Sequence, residues 1–136
     1  MANIKDIEAA RKQEDEVVEV PIYDRAGEPY TAKGGEQATI GVVGKESTEY
    51  RKAEARRTRA LLKARRAQRT EQDVLNGRID LAGACVKRWS GWEDGGKEWP
   101  CTPENVAELL TVPHILEQIE DAIEGHQRFF RSASGT

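Results

Sequence analysis

Cysteine, aromatic residues and long apolar runs are all scarce in this chain of 136 residues, and each scarcity excludes something. Cys85 and Cys101 are the only cysteines, too few for a disulfide framework. Met1-Ala2-Asn3 leads into a charged amphipathic segment instead of a signal-peptide core, and no run approaches the roughly 20 apolar residues of a membrane span. The expectation is a cytosolic protein in a reducing compartment, with no membrane partner. Hydrophobic residues make up 38% of the chain, aromatics 6% and charged residues 33%. That balance predicts a thin core, long solvated helices and surface left over for a partner. The length suits one domain over 1–131, divided into 1–46 and 47–131, with a disordered tail over 132–136.

What the chain does have is charge, unevenly placed. The net charge of -3 conceals an acidic first part, notably Glu14-Asp15-Glu16 with Glu19, and a run from Arg51 to Arg69 dense in Arg and Lys. Segregation of this kind favours oriented docking or self-association over bulk nucleic-acid binding.

Residues 3–13 suit a short helix capped by Asn3, with Ile4, Ile7 and Ala10 on one face. Such a helix is marginal alone, so it docks on something or frays. From Val17 to Tyr23 the period becomes two, with Val18, Val20 and Ile22 pointing one way. Pro21 confines this segment to a sheet edge. A second strand pattern, Ala38 to Val43, completes a small antiparallel unit that needs a helix over one face. Ser47 then opens a helix-favouring stretch predicted to run to Arg88, bent or broken near Gly77, on a thin stripe of mostly alanine. The polar turn Ser90 to Gly96 follows. Thr102-Pro103-Glu104 starts one further helix and Pro113 another. The last carries the best amphipathic stripe of the chain: Ile115, Leu116, Ile119, Ala122, Ile123 and then Phe129 or Phe130. The fold class predicted is α+β and mostly helical: a small N-terminal β-unit, a long basic helix and two C-terminal helices.

No constellation of catalytic or metal-ligating residues emerges. Cys85, Cys101, His114 and His126 are separated by long gaps, with no paired ligand spacing, so no metal or cofactor is expected. A Cys101–His114 nucleophile–base pair has no supporting motif, and Gly34-Gly35 and Gly95-Gly96 lack the context of a phosphate loop. The expectation is a protein that is not an enzyme. The basic helix reads first as a solvated face, second as a docking face for an acidic helical partner and third as a nucleic-acid contact. It lacks interleaved aromatic rings for base stacking. Trp89 reads as structural packing, whereas Trp92 and Trp99 divide evenly between core and interface. The candidate partner-binding residues are therefore Arg56, Arg59, Lys63, Arg66, Trp92 and Trp99.

One larger pattern runs through the chain from about Val17 to Phe130. The turn Asp24-Arg25-Ala26-Gly27-Glu28-Pro29, the strand-to-helix passage Ile40-Gly41-Val42-Val43-Gly44-Lys45-Glu46-Ser47-Thr48-Glu49-Tyr50-Arg51, the turn Trp89-Ser90-Gly91-Trp92 and the helix start Thr102-Pro103-Glu104-Asn105-Val106 resemble the layout of tail assembly chaperones of long-tailed bacteriophages. The resemblance implies a protein without catalytic residues that coats the helical tape-measure protein in the host cytoplasm, self-associates, engages tail-tube subunits and is absent from the mature virion. The competing expectations are a structural virion protein such as a head–tail connector and, more distantly, a nucleic-acid-binding regulator using the Arg-rich helix.

Overall fold

In the computed structural model, which describes residues 3–63, 70–126 and 128, the chain is α+β and mostly helical. The elements follow in order: α1 (Ile4–Glu14), β1 (Val18–Pro21), β2 (Thr39–Val42), α2 (Thr48–Lys63), α3 (Glu71–Ala84), β3 (Val86–Ser90), β4 (Glu93–Asp94), β5 (Lys97–Glu98), α4 (Pro103–Leu110) and α5 (Pro113–Glu124).

The sheet carries three antiparallel strands, ordered β1-β2-β3, where the periodicity alone predicted two. β1 takes the edge, as Pro21 requires, with Val18 opposite Val42 and Val20 opposite Ile40. β3 pairs on the other side of β2, with Ile40 opposite Trp89. One face of this sheet is buried through Val20, Ile40 and Val42, and α5 covers it with Leu116 and Ile119. Gln118 adds a reciprocal clamp: its amide accepts from Tyr23 N at 2.9 Å and donates to Tyr23 O at 2.8 Å, fixing α5 to the chain leaving β1. The stripe read for the last helix is thus borne out, with Ile115, Leu116, Ile119, Ala122 and Ile123 all buried. Phe129 and Phe130 lie outside the described residues, as does the predicted disordered tail.

The long helix predicted over 47–88 is corrected on three counts. Ser47 does cap its start, the hydroxyl accepting from Tyr50 N at 3.2 Å. A new helix, however, begins at Thr70, whose hydroxyl accepts from Asp73 N at 3.1 Å while the Asp73 carboxylate accepts from Thr70 N at 3.0 Å. This reciprocal capping box satisfies two otherwise orphaned N–H groups, so α3 starts there. Gly77 does not break the helix. It sits inside α3 against Arg57, where a Cβ would come within 2.9 Å of the guanidinium. Finally, helix ends at Ala84, and Val86, Arg88 and Trp89 belong to β3. The free edge of β2 offers these residues ladder hydrogen bonds, and that tertiary pairing outweighs a local helical preference. The Trp-rich turn is likewise a small hairpin, β4 pairing with β5 through Gly95 and Gly96, both at positive φ.

α3 is the helix that unites the rest, packing against α2, α4, α5 and β3. Arg78 on α3 grips Glu120 on α5 through two bonds of 3.0 and 2.6 Å. α1, by contrast, packs extensively on no other helix or strand. Asn3 caps it as expected, and among the described residues its firm attachment is at its end. There Glu14 is buried, its backbone O accepts from Gly44 N at 2.8 Å, and its carboxylate lies 3.5 Å from His126 Nδ1. A Cβ on Gly44 would overlap that carboxylate, so the glycine makes room for it. Burial pushes the Glu14 carboxyl above its ordinary value of 4.5, and the His126 ring partly offsets the rise.

Two outcomes follow for stability. Ile119→Asp places an unpaired charge in the fully buried seam between α5 and the sheet and should cost about 3–5 kcal/mol, read by urea denaturation. For Glu14 the folded state holds the proton more tightly than the unfolded chain. Its contribution to stability is therefore greatest at or below the ordinary value of 4.5 and is lost as pH rises through the elevated native value. Glu14→Gln should flatten the fall in denaturation midpoint between that pH and neutrality, and an unchanged slope would refute the assignment.

Candidate functional site

α3 starts at the Thr70 capping box and packs against α2 and against α4. Between the three helices lies a cleft of about 1120 Å³. Small and apolar residues line it, Ala53 and Ala60 from α2, Gly83 and Ala84 from α3, and Val106 and Ala107 from α4, while Arg57 reaches across from α2 to Gly77 on α3. Alanine and glycine let helices approach closely but leave little side chain to fill the space beyond the contact. The lips are charged. Arg56 stands on the α2 side, Asp73 and Asp80 on the α3 side, and Lys87 at the β3 end. Lys87 is held by Glu49 at 3.3 Å. None of the ion pairs among the described residues uses Arg56, Arg57, Arg59 or Lys63. The volume exceeds the roughly 300–1,000 Å³ typical of small-ligand pockets, and the cleft is neither enclosed nor flat. Val74, 44% exposed, also lines it, and Leu62 on α2 is 64% exposed.

The residues singled out from sequence fall in different places. Arg56 lines the cleft, and Arg59 and Lys63 are exposed on the same helix at spacings that keep them on one face with Arg56. Arg66 lies outside the described residues. Trp92 and Trp99 line no part of the cleft. Both are half-buried against the core. The Trp92 indole donates to Thr39 O at 3.1 Å, and Trp99 N donates to Trp92 O at 2.9 Å. The Trp89 indole donates to Trp99 O at 2.7 Å, and their rings stack with centroids 5.1 Å apart. Tyr30 lies against Trp92 and stacks on His114. The aromatic group fastens the β4–β5 hairpin to β2 and β3. The structure therefore brings Arg56 to the cleft, leaves Arg59 and Lys63 exposed on the same helix face, and takes Trp92 and Trp99 to a separate aromatic cluster.

The nucleophiles and bases are spent on different neighbours. Tyr30 Oη and His114 Nε2 are 2.5 Å apart, while Cys101 lines the cleft beside Pro103 and Val106. No hydrogen bond joins Cys101 to His114 among the described residues. Burial pushes the Cys101 thiol up. It pushes the Cys85 thiol up to about 12, a shift the Ser47 hydroxyl opposes. Neither thiol is poised as a thiolate near neutrality. Among the described residues no three His, Cys, Asp or Glu side chains gather as metal ligands, and no helix is long and apolar enough to cross a membrane.

Sequence reasoning missed the cleft. The signal that locates it is Thr70-Glu71-Gln72-Asp73, a helix start inside an otherwise helix-favouring stretch. The chain matches no protein-family profile, no curated protein and no solved structure.

Thiol chemistry checks this placement. In the native protein Cys85 should resist a maleimide that labels half-buried Cys101 slowly, and denaturation should release both, as counted by mass spectrometry. Rapid native labelling of Cys85 would contradict the packing at the end of α3.

Proposed function

We propose that this protein is a chaperone that holds a helical segment of a partner in the α2–α3–α4 cleft, and that the partner is the tape-measure protein of a long-tailed phage. The observation that carries the binding role is the cleft itself, lined by small apolar residues, lipped by Arg56 and continued by the unneutralised Arg59 and Lys63. An α-helix with its side chains is roughly 10–12 Å across, so one apolar stripe of a helix fits such a cleft without entering an enclosed cavity. The apolar lining supplies affinity through burial, and the basic face steers an acidic stripe of the partner into register. The resemblance to tail assembly chaperones, carried by the turn and helix starts quoted above, supplies the client's identity. In that role the protein keeps the client soluble in the host cytoplasm and leaves before the particle is finished.

Co-expression tests the reading. The full chain should raise the soluble fraction of the tape-measure protein from the same phage, and purified particles should lack the chaperone. Ala107→Glu, at an exposed position in the cleft lining, should abolish the rescue, and Arg59→Glu with Lys63→Glu should weaken it by slowing association. Cys101→Ser should leave it intact. Retention in particles would favour a structural virion protein. DNA or RNA binding with a steep salt dependence, without client rescue, would place the basic helix on nucleic acid instead.

A further inference from the structure

We propose that α1 is a hinged arm, held to the body by the latch Glu14-Asp15-Glu16 and released when the one proton between Glu14 and His126 is lost. The arm moves independently of whatever occupies the cleft.

α1 has almost nothing else to hold it. Its body packs extensively on no other helix or strand, Ile4 and Ile7 are exposed, and Glu14 is its buried residue. A helix of 11 residues is marginal in water, so its attachment decides whether it persists. That attachment is polar and confined to its end. Gly44 N donates to Glu14 O at 2.8 Å, Thr48 N donates to Asp15 Oδ1 at 2.8 Å, and His126 Nε2 lies 2.7 Å from Glu16 O. The latch thus joins the end of α1 to the start of α2 and to the chain just beyond α5. Among the described residues the buried polar side chains are Glu14, Ser47 and His126, and all three stand at this joint. The chain enters the sheet at Val18, which places the pivot at Val17.

The proton follows from the donors and acceptors. A carbonyl oxygen only accepts, so His126 Nε2 carries the hydrogen it gives to Glu16 O. In the neutral ring Nδ1 is then a lone pair, and it lies 3.5 Å from Glu14 Oε2. One proton in that gap makes the contact attractive from either side. On Oε2 it points to the ring nitrogen, and on Nδ1 it completes an ion pair. Without it, a carboxylate faces a lone pair where His126 is fully buried and Glu14 is 6% exposed.

The other groups that face Glu14 do not replace the proton. Glu46, before α2, donates its backbone N–H, while its carboxylate and that of Asp15 add negative charge. Cys85, beyond α3, keeps its own proton, since burial pushes the thiol up to about 12. Gly44 closes the site from a third side, where a Cβ would overlap the carboxylate. Ionisation therefore leaves two outcomes, an unpaired buried charge or exposure to water. Swinging α1 outward hydrates the carboxylate and gives up no other buried side chain of the helix, so the latch opens before the core does. Asp15 leaves with it, and Thr48 N at the first turn of α2 loses its acceptor. Rising pH is the opening signal, because the docked state holds the proton that the released arm gives up.

Hydrogen exchange of the full chain, read by NMR and corrected for the pH dependence of the chemical step, tests the latch. Raising the pH from 4.5 into the mildly alkaline range should strip protection from the amides of α1 and from Thr48, while β2 and α5 stay protected. Glu14→Gln brings its own hydrogen to the gap, so α1 should stay protected over the whole range. Asp15→Asn weakens the cap on Thr48 but leaves the shared proton, so the pH dependence of α1 should persist. Its disappearance there would move the switch to Asp15 and overturn the assignment. Equal protection of α1 at every pH, a pH dependence that survives in Glu14→Gln, or loss of α1 only together with β2 would each overturn the latch. The parent chain and Asp15→Asn decide the case by themselves if Glu14→Gln does not fold.

Discussion

The central strand β2 is the constraint on which the rest of the molecule depends. It pairs with β1 on one side and β3 on the other, and its apolar side chains Ile40 and Val42 lie under α5. Gly41, between them, leaves no space for a larger residue: a Cβ there would meet Val17 Cγ1 at 2.7 Å and Arg88 Cγ at 3.0 Å. The strand register shifts between Gly41 and Val42, where the ladder to β3 passes from Arg88 to Val86. That irregularity turns the chain so that Cys85 O can accept from Val43 N at 3.0 Å and α3 can join the sheet end-on. β1, β3 and α5 are placed by this strand directly, α3 through β3 and α5, and α2 and α4 through α3.

The outer helical layer obeys a different rule. α2 buries only Ala53 among its described residues and meets α3 through small side chains, Gly77 accommodating Arg57. The hydrophobic core, from Val18 to Ile123, is concentrated in the sheet, α3, α4 and α5. The cleft shares Ile79 and Val106 with that core and Val86 and Lys87 with β3, while Arg56 and Ala107, also in its lining, are exposed.

Elements whose signals are local were legible in the sequence. Asn3, Ser47 and Thr102 each cap a helix through their own side chains, and the stripe through Ile119 needs only helical geometry to be recognised. β3 was not legible, because Cys85, Val86 and Trp89 continue a helical stripe as readily as they begin a strand. The choice depends on an edge of β2 far away in the chain. The cleft was hidden for a related reason. The arginines of α2 were visible as charge, but a lining assembled from small residues of three helices exists only once α2, α3 and α4 have packed together. Trp92 and Trp99 illustrate the converse, since the hydrogen bonds that commit their backbone and ring atoms are to Thr39, to Trp89 and to each other.

The distance along the chain between β2 and β3 has a consequence for how the molecule forms. The whole α2–α3 hairpin intervenes, so the sheet cannot close until both helices exist and the loop between the strands has been drawn in. Pairings of such high sequence separation lose chain entropy before any contact rewards them, which slows folding relative to a bundle built from neighbours. During that interval β2 has an open edge, and Ile40 and Val42 lack their cover from α5, which is synthesised last of the ten elements. A protein proposed to guard another chain from aggregation thus passes, as it emerges from the ribosome, through its own brief period of exposed strand and uncovered apolar surface.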